Sequence, residues 1–276
     1  LEGFNAFVDQ VLGTSHVRGA FFGNYSETDV RGVYELLSTA VSASASARYA
    51  RSNIYAPKPA TTLLLNREVP VEDLGILYAF AAPEASVKNQ ALSQILARHL
   101  RVRAFETLRT EEQLGYAAGG GALDLYKHPM VILYIQTPVK GPQEMLDRFT
   151  AYTEEYRDEL AALPEASFEK FKAGVLTALT EPPKNLSAEA GPFVSDWAIE
   201  HYDFDTRAKL IAAVNAATLQ DVQRFYEETV FSEASSRIVI QLRGKRYSER
   251  PFATVDGGVV IDDIDKFHND MPVQAR

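Results

Sequence analysis

Leu108-Arg109-Thr110-Glu111-Glu112-Gln113-Leu114-Gly115-Tyr116 marks a change of secondary structure from helix to strand. Upstream of it, Ser86 is placed to cap a long helix. Ala91, Leu92, Ile95, Leu96, His99, Val102, Phe105 and Leu108 then recur at helical spacing, which predicts one buried face. Gly115 supplies the left-handed residue that commonly ends such a helix. Downstream, Tyr116 to Leu125 is strand-like and glycine-rich. Arg109 therefore falls near the helix end and Tyr116 begins the next strand. A guanidinium and a phenol are both hydrogen-bond donors, and in this arrangement they can converge on one oxyanion or carbonyl.

The elements on either side predict the sheet. Met130 to Thr137 is an apolar strand that pairs antiparallel with Tyr116–Leu125, and Thr61–Val69 and Gly75–Ala81 are two earlier strands separated by Pro70 and Asp73. Nearer the start, Phe4 to Leu12 keeps helical spacing and Val17 to Phe22 reads as a strand. Ser26 with Asp29 reads as a capping box for a helix through Val41, and residues 42–60 read as a loop. Beyond Pro142 lies a helical block. Its members run from Met145 to Leu160, Phe168 to Leu179, Ser187 to Tyr202, Thr206 to Val214 and Leu219 to Val230, the last opened by Thr218 and Asp221. Arg237 to Leu242 is a final strand, and 246–276 a tail laid over the body. This order predicts an α+β fold, a mostly antiparallel sheet with helices packed on one face.

Composition excludes several classes. The chain has 276 residues, 46% hydrophobic and 24% charged, an ordinary globular balance, and no apolar run approaches a membrane span. A net charge of −9 argues against nucleic-acid binding, which needs a basic face. The absence of cysteine removes thiolate chemistry and disulfides. The start, Leu1-Glu2-Gly3-Phe4, is not a signal peptide and reads like a chain cut from a longer one.

The nine residues Leu108–Tyr116 resemble the L-R-T-x-E-Q-L-G-Y segment in the zinc-free half of the insulinase/pitrilysin metallopeptidases, whose metal motif is H-x-x-E-H. Further matches extend the resemblance over nearly the whole chain. Asn66 through Ala81 resembles the hairpin before the helix in the family's last domain. Glu181 to Ser187 resembles its K-P-K-x-L-S turn, Tyr202-Asp203-Phe204-Asp205 its Y-x-F-D, and Phe267 to Pro272 its C-terminal F-x-x-x-L-P. The resemblance implies a metallohydrolase-like α/β roll at 13–245, with 1–12 as the last helix of a preceding domain and 246–276 as a packed tail. It also implies two such halves around a chamber that admits peptides and small unfolded proteins.

Spacing alone favours a plain role for the central pair: Arg109 complements the helix dipole and Tyr116 is a strand aromatic. The resemblance reverses this. It implies that Arg109 and Tyr116 are auxiliary catalytic and substrate-binding residues that hydrogen-bond the scissile carbonyl. None of the five histidines (His16, His99, His128, His201, His268) has H-x-x-E-H or H-E-x-x-H spacing, so no metal ligand is assigned here. His99 falls on the apolar helix face, His128 in a hairpin turn, and His201 and His268 at the surface. Zinc is implied only for the missing N-terminal half. Gly119-Gly120-Gly121 lacks a phosphate-loop pattern and reads as a bulged or flexible strand. No Gly-x-Ser-x-Gly elbow or triad is present.

Two functions follow. One is the C-terminal, zinc-free part of a peptide-degrading metalloendopeptidase, acting opposite a zinc-bearing half of the same polypeptide or a partner subunit. The alternative is a non-catalytic scaffold or peptide-binding subunit of a processing-peptidase-like complex. The intact Arg109/Tyr116 pair favours the first.

Overall fold

The computed structural model describes residues 2–14, 18–41, 58–125 and 127–270. His16, most of the expected 42–60 loop and the end of the C-terminal match at Met271-Pro272 lie outside them. The chain forms two compact units, Leu1–Asn53 with Pro182–Thr206, and Ile54–Glu181 with Arg207–Arg276.

The first unit holds helices α1 (Glu2–Thr14), α2 (Glu27–Ala40) and α6 (Leu186–Ala198). The predicted capping box opens α2. Asp29 N–H donates to Ser26 Oγ at 3.2 Å, and Ser26 N–H donates to Asp29 Oδ2 at 2.9 Å, satisfying donors that have no partner inside the helix. The expected strand at Val17–Phe22 is not formed: residues 18–22 carry no strand. No other strand lies among the described residues of this unit, so there is no ladder to join. Side chains hold the segment instead. Arg18 donates to Tyr202 Oη at 2.9 Å, pairs with Glu200 at 3.0 Å and covers the Trp197 ring at 4.9 Å. Only Val41 and Asp196 are buried among the described residues of this unit.

The second unit is built on one six-stranded sheet. Its strands are β1 (Thr62–Glu68), β2 (Leu74–Ala81), β3 (Ala117–Leu125), β4 (His128–Thr137), β5 (Ser236–Arg243) and β6 (Val259–Val260). The spatial order is β3-β4-β2-β5-β1-β6, antiparallel from β3 to β5, while β1 lies parallel to both β5 and β6. The expected hairpin of the first two strands is therefore corrected, because β5 lies between them. Residues 69–73 arch over the exit of β5. Lys245 N–H donates to Val71 O at 2.8 Å, and Arg246 N–H to Glu72 O at 3.2 Å. The tail joins the sheet as well as covering it: β6 pairs with β1, and Gln241 exchanges two hydrogen bonds with the Ala253 backbone at 2.8 and 2.9 Å.

Helices pack on the sheet face that carries Leu64, Ile76, Tyr78, Leu133, Ile135 and Val239. They are α3 (Val87–Ala104), α4 (Pro142–Ala161), α5 (Glu165–Thr180), α7 (Thr206–Ala216) and α8 (Leu219–Val230), with α9 (Ile264–Asp270) following the last strand. Thr218 and Asp221 cap α8 as their spacing predicts. From α4, Phe149, Tyr152 and Tyr156 are almost completely buried. Burying one side chain of that size contributes about 1.5–3 kcal/mol. The buried face of α3 differs from the expected one in its last turns. Val102 and Phe105 are 55% and 41% exposed, and Leu100 and Ala104 are buried in their place. The stripe Leu92, Leu96, Leu100, Ala104, Leu108 keeps a spacing of four and follows β3.

The Gly119–Gly121 run forms neither bulge nor break, since its pairing with Tyr134, Leu133 and Ile132 is continuous. Contact explains two of the three glycines, Gly119 and Gly120. A Cβ at Gly120 would lie 2.7 Å from Leu100 Cγ, and one at Gly119 would lie 2.9 Å from Tyr134 Oη. The helix presses on one face of β3 and Tyr134 lies over the other.

Candidate functional site

Beyond Ala104 the helix widens. Phe105–Glu111 is a π-helical stretch, a form rare in proteins and frequent at functional sites. Glu112 N–H reaches Thr107 O at 3.0 Å, and Leu114 N–H reaches Leu108 O at 3.0 Å. The chain then reverses through Gln113, whose φ is +54°. The left-handed residue is therefore Gln113, not Gly115. Glycine is needed at 115 for a different reason: a Cβ there would lie 2.0 Å from the Gln136 carbonyl oxygen of β4.

This path brings Arg109 and Tyr116 together. The Arg109 guanidinium carbon lies 4.5 Å from the Phe105 ring centroid and 5.0 Å from that of Tyr116. Both rings attract the cation through their π faces. Tyr116, just before β3, is 85% exposed. Among the described residues no hydrogen bond or ion pair engages the Arg109 N–H groups or the Tyr116 hydroxyl. Two uncommitted donors side by side suit a carbonyl or an oxyanion. Helical spacing predicts a core position for Phe105; its spacing of four from Arg109 is the signal that marks it as a ring partner of the guanidinium.

Beside Ala117, at the start of β3, a groove of about 230 Å³ opens on the sheet face away from α3. Ala117, Leu77, Tyr134, Ile240 and Leu242 line it, with Gln136 as its polar member. Gln136 is itself tied to Asp73 at 3.0 Å.

The four described histidines do not fit a catalytic zinc. His99 is buried, with Nδ1 2.9 Å from Tyr156 Oη and its ring against Phe171. His128 starts β4 and His268 lies exposed on α9. His201 groups with Asp203 and Asp205, their ligand atoms within 4.8 Å of one another, but His201 Nε2 is already 2.7 Å from Asp205 Oδ1. That single-histidine cluster belongs to the first unit, whereas Arg109 and Tyr116 belong to the second.

The buried His99 makes a testable element. Burial first, and the Arg103 charge second, hold its pKa down to about 4. Glu159, 4.0 Å from Nε2, is engaged by Arg103 and does not offset this. The unfolded chain therefore takes up the proton first as the pH falls. The stability linked to His99 is complete above about pH 6.5, and about 3 kcal/mol of it is lost by pH 4. Chemical denaturation at pH 7 and pH 4.5 checks this. His99→Gln, which does not titrate, is expected to lose less stability over that interval than the wild type; equal losses would refute it.

Comparison with known proteins bears on the same segment. The family model described as "PQQ synthase PqqF-like, C-terminal lobe domain 4" matches residues 95–194, which take in the second half of α3, the Arg109–Tyr116 segment and β3–β4. Protease 3 of Escherichia coli (strain K12) is 24% identical over 188 residues, 68% of this chain and 20% of that protein. The chain is a relative of the insulinase/pitrilysin peptidases. The fold agrees. The crystal structure of pitrilysin superposes with a TM-score of 0.83 at 21% identity, covering 92% of this chain and 27% of that one. The "peptidase M16 inactive domain" from Pseudomonas fluorescens superposes at 0.57 and 10% identity, covering 87% and 54%. Within the insulinase/pitrilysin family the homology is to the inactive C-terminal half. The chain thus spans 20% of the length of Protease 3, and among its described residues no helix is long and apolar enough to cross a membrane.

Proposed function

We propose that this chain is the C-terminal, zinc-free portion of a metalloendopeptidase that degrades peptides, and that Arg109 and Tyr116 act on the substrate opposite a zinc-bearing half that this chain does not contain. The observation that carries the reading is the pair itself: a guanidinium stacked 5.0 Å from a phenol ring, with the donors of both open. Each donates a hydrogen bond to the scissile carbonyl or its neighbour and stabilises the negative charge that develops there. Its contact with the Phe105 and Tyr116 rings limits the freedom the guanidinium loses on binding. The apolar groove that Ala117 helps to line takes an apolar side chain of the peptide. No hydrolytic step is assigned to His99, His128, His201 or His268, because their surroundings do not suit the metal.

The test is peptide hydrolysis with zinc analysis, on this chain and on the complete polypeptide. The expected result is a complete polypeptide that binds zinc and cleaves, while this chain does neither. A complete polypeptide that is metal-free and inert would make the chain a scaffold or peptide-binding subunit.

A further inference from the structure

Six residues separate Arg109 from Tyr116, and they leave the helix by an unfavourable route. A non-glycine residue in the left-handed region, as Gln113 is, is strained and persists only where its surroundings hold it. Leu108 and Leu114 are buried at 0% and 4% exposure, and Leu114 O accepts from Thr137 Oγ1 at 2.5 Å. These contacts fix how deep the segment sits.

Its rotation is fixed by a charged contact. Glu112, three residues after Arg109 and four before Tyr116, turns its carboxylate to Arg148 of α4. Arg148 Nε lies 2.9 and 3.1 Å from the two Glu112 oxygens, and Nη2 lies 2.5 Å from Oε1. The far side of the same guanidinium grips Glu155 at 2.8 and 3.1 Å, and its carbon lies 5.7 Å from the Tyr152 ring centroid. The Arg148 side chain is 15% exposed and that of Glu112 29%, so the pair is screened from water. A planar fork held on both sides sets direction as well as distance, which a lysine ammonium cannot do.

We propose that Arg148, acting through Glu112, is a positioning residue that sets the orientation of the Arg109–Tyr116 pair. It touches no substrate. It anchors the middle of the segment to a long buried helix, so that both donors emerge at one place. The proposal rests on the substrate-contacting role of that pair given above.

The experiment measures kcat and KM of the complete polypeptide carrying Arg148→Lys, Arg148→Met or Glu112→Gln, each alone and combined with Tyr116→Phe. Glu112→Gln keeps the side chain's shape and guards against misfolding of the arginine variants. The expected result is a fall in kcat of roughly 10- to 100-fold with Arg148→Met, little change in KM, and partial rescue by Arg148→Lys. In the Tyr116→Phe background the same changes are expected to have much smaller effects, because a misplaced donor that is already absent loses nothing further. Full additivity with Tyr116→Phe would reduce Arg148 to a structural role and overturn the proposal. So would unchanged kcat in all three single variants while Tyr116→Phe alone is impaired. If Tyr116→Phe itself cleaves normally, the role of the pair falls first and this inference with it.

Discussion

Replacing Tyr116 with phenylalanine in the complete polypeptide is expected to lower kcat/KM for peptide cleavage by about 10²–10³, equivalent to about 2.7–4 kcal/mol of transition-state stabilisation. The magnitude is that of one donor removed from developing negative charge. The substitution is clean for a structural reason. The ring is 85% exposed, and its hydroxyl bonds to nothing among the described residues. No buried partner is stranded and no cavity opens, so folding stability is expected to stay within about 0.5 kcal/mol of wild type. The phenylalanine ring still stacks on Arg109, whose guanidinium carbon lies 5.0 Å away, so the guanidinium keeps its place. Steady-state kinetics beside a thermal melt separate the two effects. Unchanged turnover would remove Tyr116 from the chemistry and leave the pair as a surface feature inherited from a catalytic relative.

Gly115→Ala is expected to be the most damaging small substitution in the segment. Its Cβ would meet the Gln136 oxygen at 2.0 Å, the Gln136 carbonyl carbon at 3.0 Å and Ile135 Cγ1 at 3.2 Å. The oxygen cannot retreat, because Gln136 is paired with Ala117 on one side and Gly75 on the other. Either β4 is strained or the segment lifts and carries Tyr116 away from its site. Overpacking of this kind typically costs about 1–3 kcal/mol and occasionally more. For a body of this size that is a fall in melting temperature of about 2–4 °C per kcal/mol. A loss of cleavage should accompany it. Gln113→Gly is the contrasting control: glycine adopts a φ of +54° without steric penalty, so this change should leave the melt unchanged or raise it. If Gly115→Ala melts and cleaves like wild type, the close approach to β4 is not what demands glycine there.

The two glycine positions also show where reading along the chain stops. A glycine after a helix is ordinarily its left-handed terminator, and Gly115 stands where that rule puts one. The left-handed turn falls two residues earlier, at Gln113, and glycine is demanded at 115 because β4 occupies the space a side chain there would need. In the same way, Arg148 lies far along the chain from Glu112, and no spacing rule connects them. Arg109 and Tyr116 were legible as a pair because motif and helix phase act over a few residues. That Phe105 also lies against the guanidinium was not, because apolar spacing counts it as core.

The sequence by itself determined the helix starts at Ser26 and Thr218, the β3–β4 pairing, the α+β class and the segment that carries the donors. Each is decided by atoms within a few residues of one another: a side-chain oxygen facing an N–H three residues on, a short turn between two strands, apolar side chains at a regular period. Tertiary structure alone decided that β5 enters between β1 and β2, that residues 18–22 form no strand, and that Arg148 holds the reversal after Arg109. Those outcomes are competitions between partners distant in the chain. The winner is set by which surfaces remain to be covered once the helices have packed, a quantity that no local pattern records.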